Sequence, residues 1–185
     1  MRWHYKQTIL PESKGSTYHP IIEALLTERG LLDEEERKRF LVPDYDRDTH
    51  DPFLFSQMQR VVERFGQALE NKEKVGIFGD FDADGVTSSV LMREAMLELG
   101  IDSEVYIPEK LSEGHGLNTK AVEFFKEKGV SLVVTLDCGM MNHEEIALAN
   151  SLGMEVIVVD HHHVPEVLPE AYAIINPKLP GETYP

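Results

Sequence analysis

Gly79-Asp80-Phe81-Asp82-Ala83-Asp84-Gly85-Val86-Thr87-Ser88 follows the short apolar run Val75-Gly76-Ile77-Phe78, and the junction of the two decides how the chain is read. An apolar run that gives way to acidic residues marks a strand leaving a sheet and a helix about to begin. On an extended backbone the two-residue side-chain period points Asp80, Asp82 and Asp84 to one side. Carboxylates gathered in this way repel one another, so either some take up protons or a hard divalent cation sits among them. A solvated acidic turn is the alternative, and the triplet alone does not separate the two.

Working outward, short apolar runs alternate with helical segments from Val75 to the end of the chain. Val75 to Phe78, Glu104 to Ile107, Leu132 to Leu136, Val156 to Val159 and Ala173 to Ile175 are the strand candidates. Helices are predicted near 86 to 99, 118 to 127 and 143 to 151, with Gly100, Gly129 and Gly153 at their ends. This alternation predicts an α/β fold, a five-stranded parallel sheet with crossover helices on both faces. The expected strand order is 2-1-3-4-5, with the functional crevice at the switch between strands one and three.

Before the sheet, residues 1 to about 19 show no periodicity and read as an extended arm. Pro20 suits a first helical position, and Ile21, Ile22, Leu25 and Leu26 form an apolar stripe that Gly30 ends. Asp33 and Glu36 resemble a capping box for a second helix running toward Pro43, and residues 44 to 50 read as a polar linker. Asp51-Pro52 then opens a longer helix carrying Leu54, Met58, Val61, Val62, Phe65 and Leu69 at core spacing. The predicted organisation is a helical N-terminal extension over 1–72 and the α/β domain over 73–185.

Hydrophobic content of 42% and charged content of 28% are globular values. No apolar run reaches the roughly 20 residues of a membrane span, and no signal-peptide core follows Met1, so a soluble cytoplasmic protein is expected. The single Cys138 excludes an internal disulfide framework and fits a reducing compartment. A formal net charge of -15 works against charge-driven nucleic-acid binding by the chain as a whole, although bound divalent metals would offset part of it locally.

In a parallel sheet the residues beyond the carboxyl ends of the strands carry the chemistry. Asp80, Asp82 and Asp84 follow the first strand, Asp137-Cys138-Gly139 the third, and Asp160-His161-His162-His163 the fourth. Each has a bland alternative: Asp137 as a turn residue, the histidines as a surface loop, Cys138 as a small buried side chain. Their convergence on one edge favours a metal site, and this mixture of carboxylate and imidazole suits manganese or magnesium better than structural zinc. Two ions bridged by a carboxylate are the arrangement that phosphoryl displacement uses. After the second strand, the loop Gly114-His115-Gly116-Leu117-Asn118 offers backbone amides to a phosphate, or is a plain loop ending in the N-cap Asn118.

With these residues in view the chain resembles the DHH phosphoesterase superfamily, and most closely its RecJ-type single-strand exonuclease branch. The resemblance rests on GDFDADGVTS at 79–88, EGHGLN at 113–118, LDCGM at 136–140, DHH at 160–162 and NPK at 176–178, with Arg39-Phe40-Leu41 and Asp51-Pro52 ahead of them. It implies that Asp80, Asp82 and Asp84 form the first motif, the last two as direct metal ligands, with Asp137 as a bridging ligand and His161 as another. His162 would lie near the scissile phosphate, Asp160 would orient the imidazoles, and Lys110, Gly114, His115, Gly116 and Asn118 would lie along the phosphate path. Lys110 and His115 stand where relatives usually carry arginine and tyrosine.

The resemblance further implies a Mn2+- or Mg2+-dependent phosphodiesterase that digests single-stranded DNA from the 5′ end, releases 5′-mononucleotides and serves DNA repair and recombination. A single-strand-binding protein or a helicase would be its protein partner. Relatives contribute a further metal-binding aspartate and a second domain after DHH, so the 185 residues are expected to be the N-terminal part of a catalytic core, weak or inactive alone. Two alternatives are a DHH phosphodiesterase of short oligonucleotides, cyclic dinucleotides or pyrophosphate, and a non-catalytic replication-associated module.

Overall fold

The computed structural model describes residues 18–185, so nearly all of the expected N-terminal arm lies outside the described residues. The chain divides into two compact units, residues 1–49 and 50–185. In the first, Pro20 opens α1 (Pro20–Glu28), α2 spans Glu34–Leu41 and α3 spans Tyr45–Asp48. Asp33 Oδ1 accepts the Glu35 and Glu36 amides at 2.9 and 3.2 Å, which is the cap its spacing predicts. Arg37 ties the two longer helices together, donating to Glu23 at 2.8 Å and to the Leu31 carbonyl at 2.7 Å. The stretch read as a polar linker contains α3 because Asp44 accepts the Arg47 amide at 2.9 Å while Asp48 accepts the Asp44 amide at 2.8 Å.

The second unit begins with a 3₁₀ turn, Pro52–Leu54, followed after a break by α4 (Met58–Asn71). The continuous helix expected from Pro52 is interrupted because Phe55 turns extended and stacks on Tyr184, ring centroids 4.0 Å apart, while the Ser56 amide donates to Glu182. Val61 and Ala68 of α4 are buried against the sheet, which is why this helix belongs to the larger unit although the sequence groups it with the N-terminal helices.

Strands β1 (Lys74–Gly79), β2 (Ser103–Tyr106), β3 (Val130–Leu136), β4 (Glu155–Val159) and β5 (Ala173–Ile175) pair in parallel in the order β2-β1-β3-β4-β5. The crossovers are α5 (Ala83–Leu99), α6 (Thr119–Glu127) and α7 (His143–Ser151). Side-chain alternation divides the core between two faces. Val75, Ile77, Leu132, Val134 and Ile157 pack with Val61, Ala68 and Met96 on the side of α4 and α5. Phe78, Val133, Val156 and Val158 pack with Val122, Phe125, Ile146 and Ala149 of α6 and α7 on the other. Neighbouring β1 and β3 send their crossovers to opposite faces, so a crevice opens between their carboxyl ends. Among the described residues no helix is long and apolar enough to cross a membrane.

Arg64 of α4 is buried and carries its charge into this unit, pairing with Glu73 at 2.6 Å and Glu155 at 2.5 Å. The two carboxylates supply the compensation that a buried guanidinium requires.

The tightest junction is between the end of β1 and the first turn of α5. A β-carbon on Gly79 would lie 2.0 Å from Ser89 Oγ, and one on Gly85 would lie 2.4 Å from both the amide nitrogen and the carbonyl oxygen of Asp80. Backbone atoms cannot swing aside, so only glycine fits at 85. Gly66, inside α4, has open space around it. Gly85→Ala should therefore lower stability by about 2 kcal/mol or more through overpacking, while Gly66→Ala raises it by roughly 0.5 to 1 kcal/mol. Urea midpoints of the two variants check this, and equal midpoints would contradict the close approach.

Candidate metal centre

Three strand ends deliver the predicted residues to one crevice, and at each the backbone ladder continues through the functional aspartate. The Asp80 amide donates to the Leu136 carbonyl, that of Asp137 to Val159 and that of Asp160 to Ile175, at 3.3, 2.9 and 3.0 Å. These hydrogen bonds fix the aspartates to the rigid sheet edge. Asp137 adopts a left-handed backbone, φ 63°, a conformation that aspartate tolerates better than most residues but that still carries strain. Gly139 follows with φ 118°, where a β-carbon would meet Thr135 Oγ1 at 2.5 Å.

One ligand atom from each of Asp80, Asp82 and Asp137 lies within 4.8 Å of the others, and so does one from each of Asp137, His161 and His162. Asp137 is common to both groups. The carboxylates of Asp82 and Asp137 lie close together in one of these groups, and their surroundings shift them in opposite directions. The Gly85 amide, with help from Asp137, holds Asp82 below the usual carboxylate range. Burial, reinforced by the charge of Asp82, pushes Asp137 up. A divalent cation would relieve the repulsion between the two carboxylates, and hard oxygen donors crowded beside imidazole match manganese or magnesium.

Asp84 departs from the extended-backbone expectation. Helix α5 begins at Ala83, so Asp82 serves as its N-cap, its Oδ1 accepting the Asp84 and Gly85 amides at 3.0 and 3.2 Å. Asp84 then falls on the first helical turn, outside both three-residue groups. It lines an adjoining hollow of about 500 Å³ with Thr87, Ser88, Asp137, His161 and, on the apolar side, Phe55 and Met58.

The histidines are held by two different carboxylates. His161 Nε2 lies 3.0 Å from Asp137 Oδ1, whereas His162 Nδ1 lies 2.7 Å from Asp160 Oδ1. The same Asp160 oxygen accepts the His161 and His162 amides at 2.7 and 2.9 Å, and Oδ2 accepts the Met140 amide at 3.2 Å. Burial alone would raise the Asp160 pKa, but these donors outweigh it and hold the carboxyl below its ordinary value. Asp160 in turn raises His162. From the other side Lys178 donates to the His161 carbonyl at 2.5 Å and Asn176 to the His162 carbonyl at 3.2 Å, which gives the NPK stretch a physical role. Cys138 is buried, and burial together with the Asp160, Asp80 and Asp137 charges raises its thiol well above the ordinary value, so it packs rather than reacts.

The loop after β2 lies against the first acidic motif. His115 Nδ1 lies 2.9 Å from Asp80 Oδ2, and its ring packs on Phe81 with centroids 4.2 Å apart. Asn118 caps α6 by accepting the Ala121 amide at 2.9 Å, the second of its two sequence readings. Gly116 turns toward Asn142, Gly114 has open space around it, and Lys110 Nζ sits 5.2 Å over the Phe81 ring. Glu113 gathers Tyr106 and Lys120 and so folds the loop upon itself. Sequence reasoning missed Asn142, which reads as an ordinary residue ahead of a helix.

Taken together, the edge is a carboxylate and imidazole cluster of the kind that holds divalent cations for phosphoryl chemistry. Residues 74–183 match the DHH family, N-terminal domain, and the chain belongs to that family. It is 38% identical over its whole length to the Single-stranded-DNA-specific exonuclease RecJ of Bacillus subtilis, of which it spans 24%. It is 34% identical over 90% of its length to the protein of that name from Escherichia coli, spanning 28% of it. Among solved structures, exonuclease RecJ bound to manganese superposes with a TM-score of 0.64 at 30% identity, covering 69% of this chain and 33% of that one. RecJ from Thermus thermophilus in complex with Mn2+ gives 0.63 at 26% identity, covering 89% and 22%. The chain thus spans about a quarter of the length of the curated relatives it matches.

Asp160→Asn places an amide where three N–H groups and an imidazole require a carboxylate, and should cost about 2 kcal/mol at neutral pH. Because the Asp160 pKa is depressed in the fold, its contribution is present above the unfolded-state value and lost as pH falls through the folded one. The stability gap between wild type and variant, read from urea midpoints at successive pH values, should therefore narrow only in strong acid. A gap that stays constant down to about pH 2 would contradict the assignment.

Proposed function

We propose that this chain forms the DHH-domain part of a divalent-metal-dependent phosphodiesterase that degrades single-stranded DNA stepwise from the 5′ end, releasing 5′-mononucleotides. The observation that carries the reading is Asp137, shared between one group of carboxylates and one of imidazoles at the switch point of the sheet. The names of the similar proteins, single-stranded-DNA-specific exonucleases, support the substrate class. Asp80, Asp82, Asp84, Asp137 and His161 are the proposed holders of manganese or magnesium, which when bound would activate water and neutralise charge on the phosphate.

The protein's own groups have distinct tasks in this reading. Asp82 and Asp137 would present oxygen ligands to the cation from the ends of β1 and β3. Asp160 occupies Nδ1 of His162 and leaves Nε2 as the nitrogen that meets a phosphate oxygen and stabilises the charge developing there. Lys110, whose ammonium lies over the Phe81 ring, is the proposed contact for the backbone of the strand. Residues 73–185 are the proposed DHH domain, with α4 packed on its sheet. The reading also places the protein in DNA repair and recombination in the cytoplasm, alongside a single-strand-binding protein or helicase.

The test is release of mononucleotide from 5′-labelled single-stranded DNA with manganese, set against Asp82→Ala. Wild type should release label above the variant and leave duplex ends untouched. Equal release by both, above a protein-free control, would contradict the assigned site.

A further inference from the structure

Asn142 occupies the N-cap position of α7 but makes no side-chain hydrogen bond to its own helix backbone. An asparagine there ordinarily gives its oxygen to the second or third helical amide, a bond worth about 1 kcal/mol. Here Oδ1 accepts the Leu117 amide at 3.2 Å, and Nδ2 donates to the Leu117 carbonyl at 2.8 Å and to Glu145 Oε2 at 3.2 Å. One side chain thus satisfies both backbone groups of a buried residue, as a neighbouring strand would. Gly116 makes the approach possible: its φ is +80°, and a β-carbon there would lie 2.8 Å from Asn142 Oδ1.

The clamp acts next to His115, whose Nδ1 holds Asp80 Oδ2. His115 is largely exposed, its side chain 69% accessible, so little besides Phe81 and the loop backbone fixes where the ring stands. The backbone on its C-terminal side is the Gly116-Leu117 segment that Asn142 grips.

We infer that Asn142 is a positioning residue for the metal centre, giving up the cap of α7 to clamp the 113–118 loop so that His115 holds the Asp80 carboxylate toward Asp82 and Asp137. The inference rests on the metal reading proposed above. A residue that merely satisfied the Leu117 backbone would affect folding and leave cation affinity alone.

The experiment uses the 185-residue chain and the variants Asn142→Ser, Asn142→Asp, His115→Ala and Asn142→Ser with His115→Ala. Serine and aspartate retain a capping oxygen for α7 but cannot pair with both groups of Leu117, so part of the lost stability returns through the cap. Melting is followed in chelator, and manganese affinity by calorimetry. Both Asn142 variants and His115→Ala should bind manganese roughly tenfold more weakly, the effect expected of residues that orient a ligand, and the double variant no more weakly than either single one. Independent, additive losses from the two sites would overturn the inference, as would an Asn142→Ser variant that binds as wild type does; both leave the metal centre standing. Wild-type protein that takes up no manganese would overturn the proposed function and this inference with it.

Discussion

Two backbones meet without side chains between them where β1 ends and α5 begins, and the rest of the site depends on that contact. Gly85 rests on the Asp80 peptide at a distance that no β-carbon could share, and Gly79 yields the space that Ser89 fills. The close approach forces the chain to turn within Phe81 and Asp82 instead of running on extended. As a result Asp80 stays on the sheet edge while Asp82 becomes the N-cap of a helix, and both remain beside Asp137 on the neighbouring strand. Glycine at both ends of the acidic stretch is therefore a packing requirement.

The second constraint is electrostatic. A chain with a net charge of -15 gathers several of its acids at a single edge, which is unfavourable unless something positive compensates. Within the protein the compensation is partial. Asp160 accepts backbone amides and faces His162, His115 lies against Asp80, and His161 lies against Asp137. Asp137, common to both ligand groups, marks the place where a cation would be most favoured. The left-handed backbone of Asp137 and the glycine that follows it indicate strain accepted to aim the one carboxylate that serves both groups.

Much of this was legible in the sequence. The five strands, their order and the crossover helices follow from apolar runs alternating with helical periods, because burial on both faces of a parallel sheet leaves a strong pattern. Asp80, Asp82, Asp137, His161, His162 and Asp160 could be collected because strand ends in such a sheet share an edge. Other features depended on tertiary contacts that local pattern does not encode. The helix predicted from Pro52 is broken by the stacking of Phe55 on Tyr184, a partner far along the chain. Asp84 was misaligned because the onset of α5 is set by the Gly85 contact and not by side-chain periodicity. Asn142 was invisible because an asparagine before a helix reads as a cap, and only the distance to Leu117 reveals that its side chain is spent elsewhere.

The central claim is that Asp137 is the common member of two ligand groups, one with Asp80 and Asp82 and the other with His161 and His162. Anomalous diffraction at the manganese edge from crystals soaked in manganese tests it most directly. The expected result is a peak bonded to an Asp137 oxygen and to its partners in at least one of the two groups. An edge with no peak beside Asp137 at saturating manganese would contradict the account.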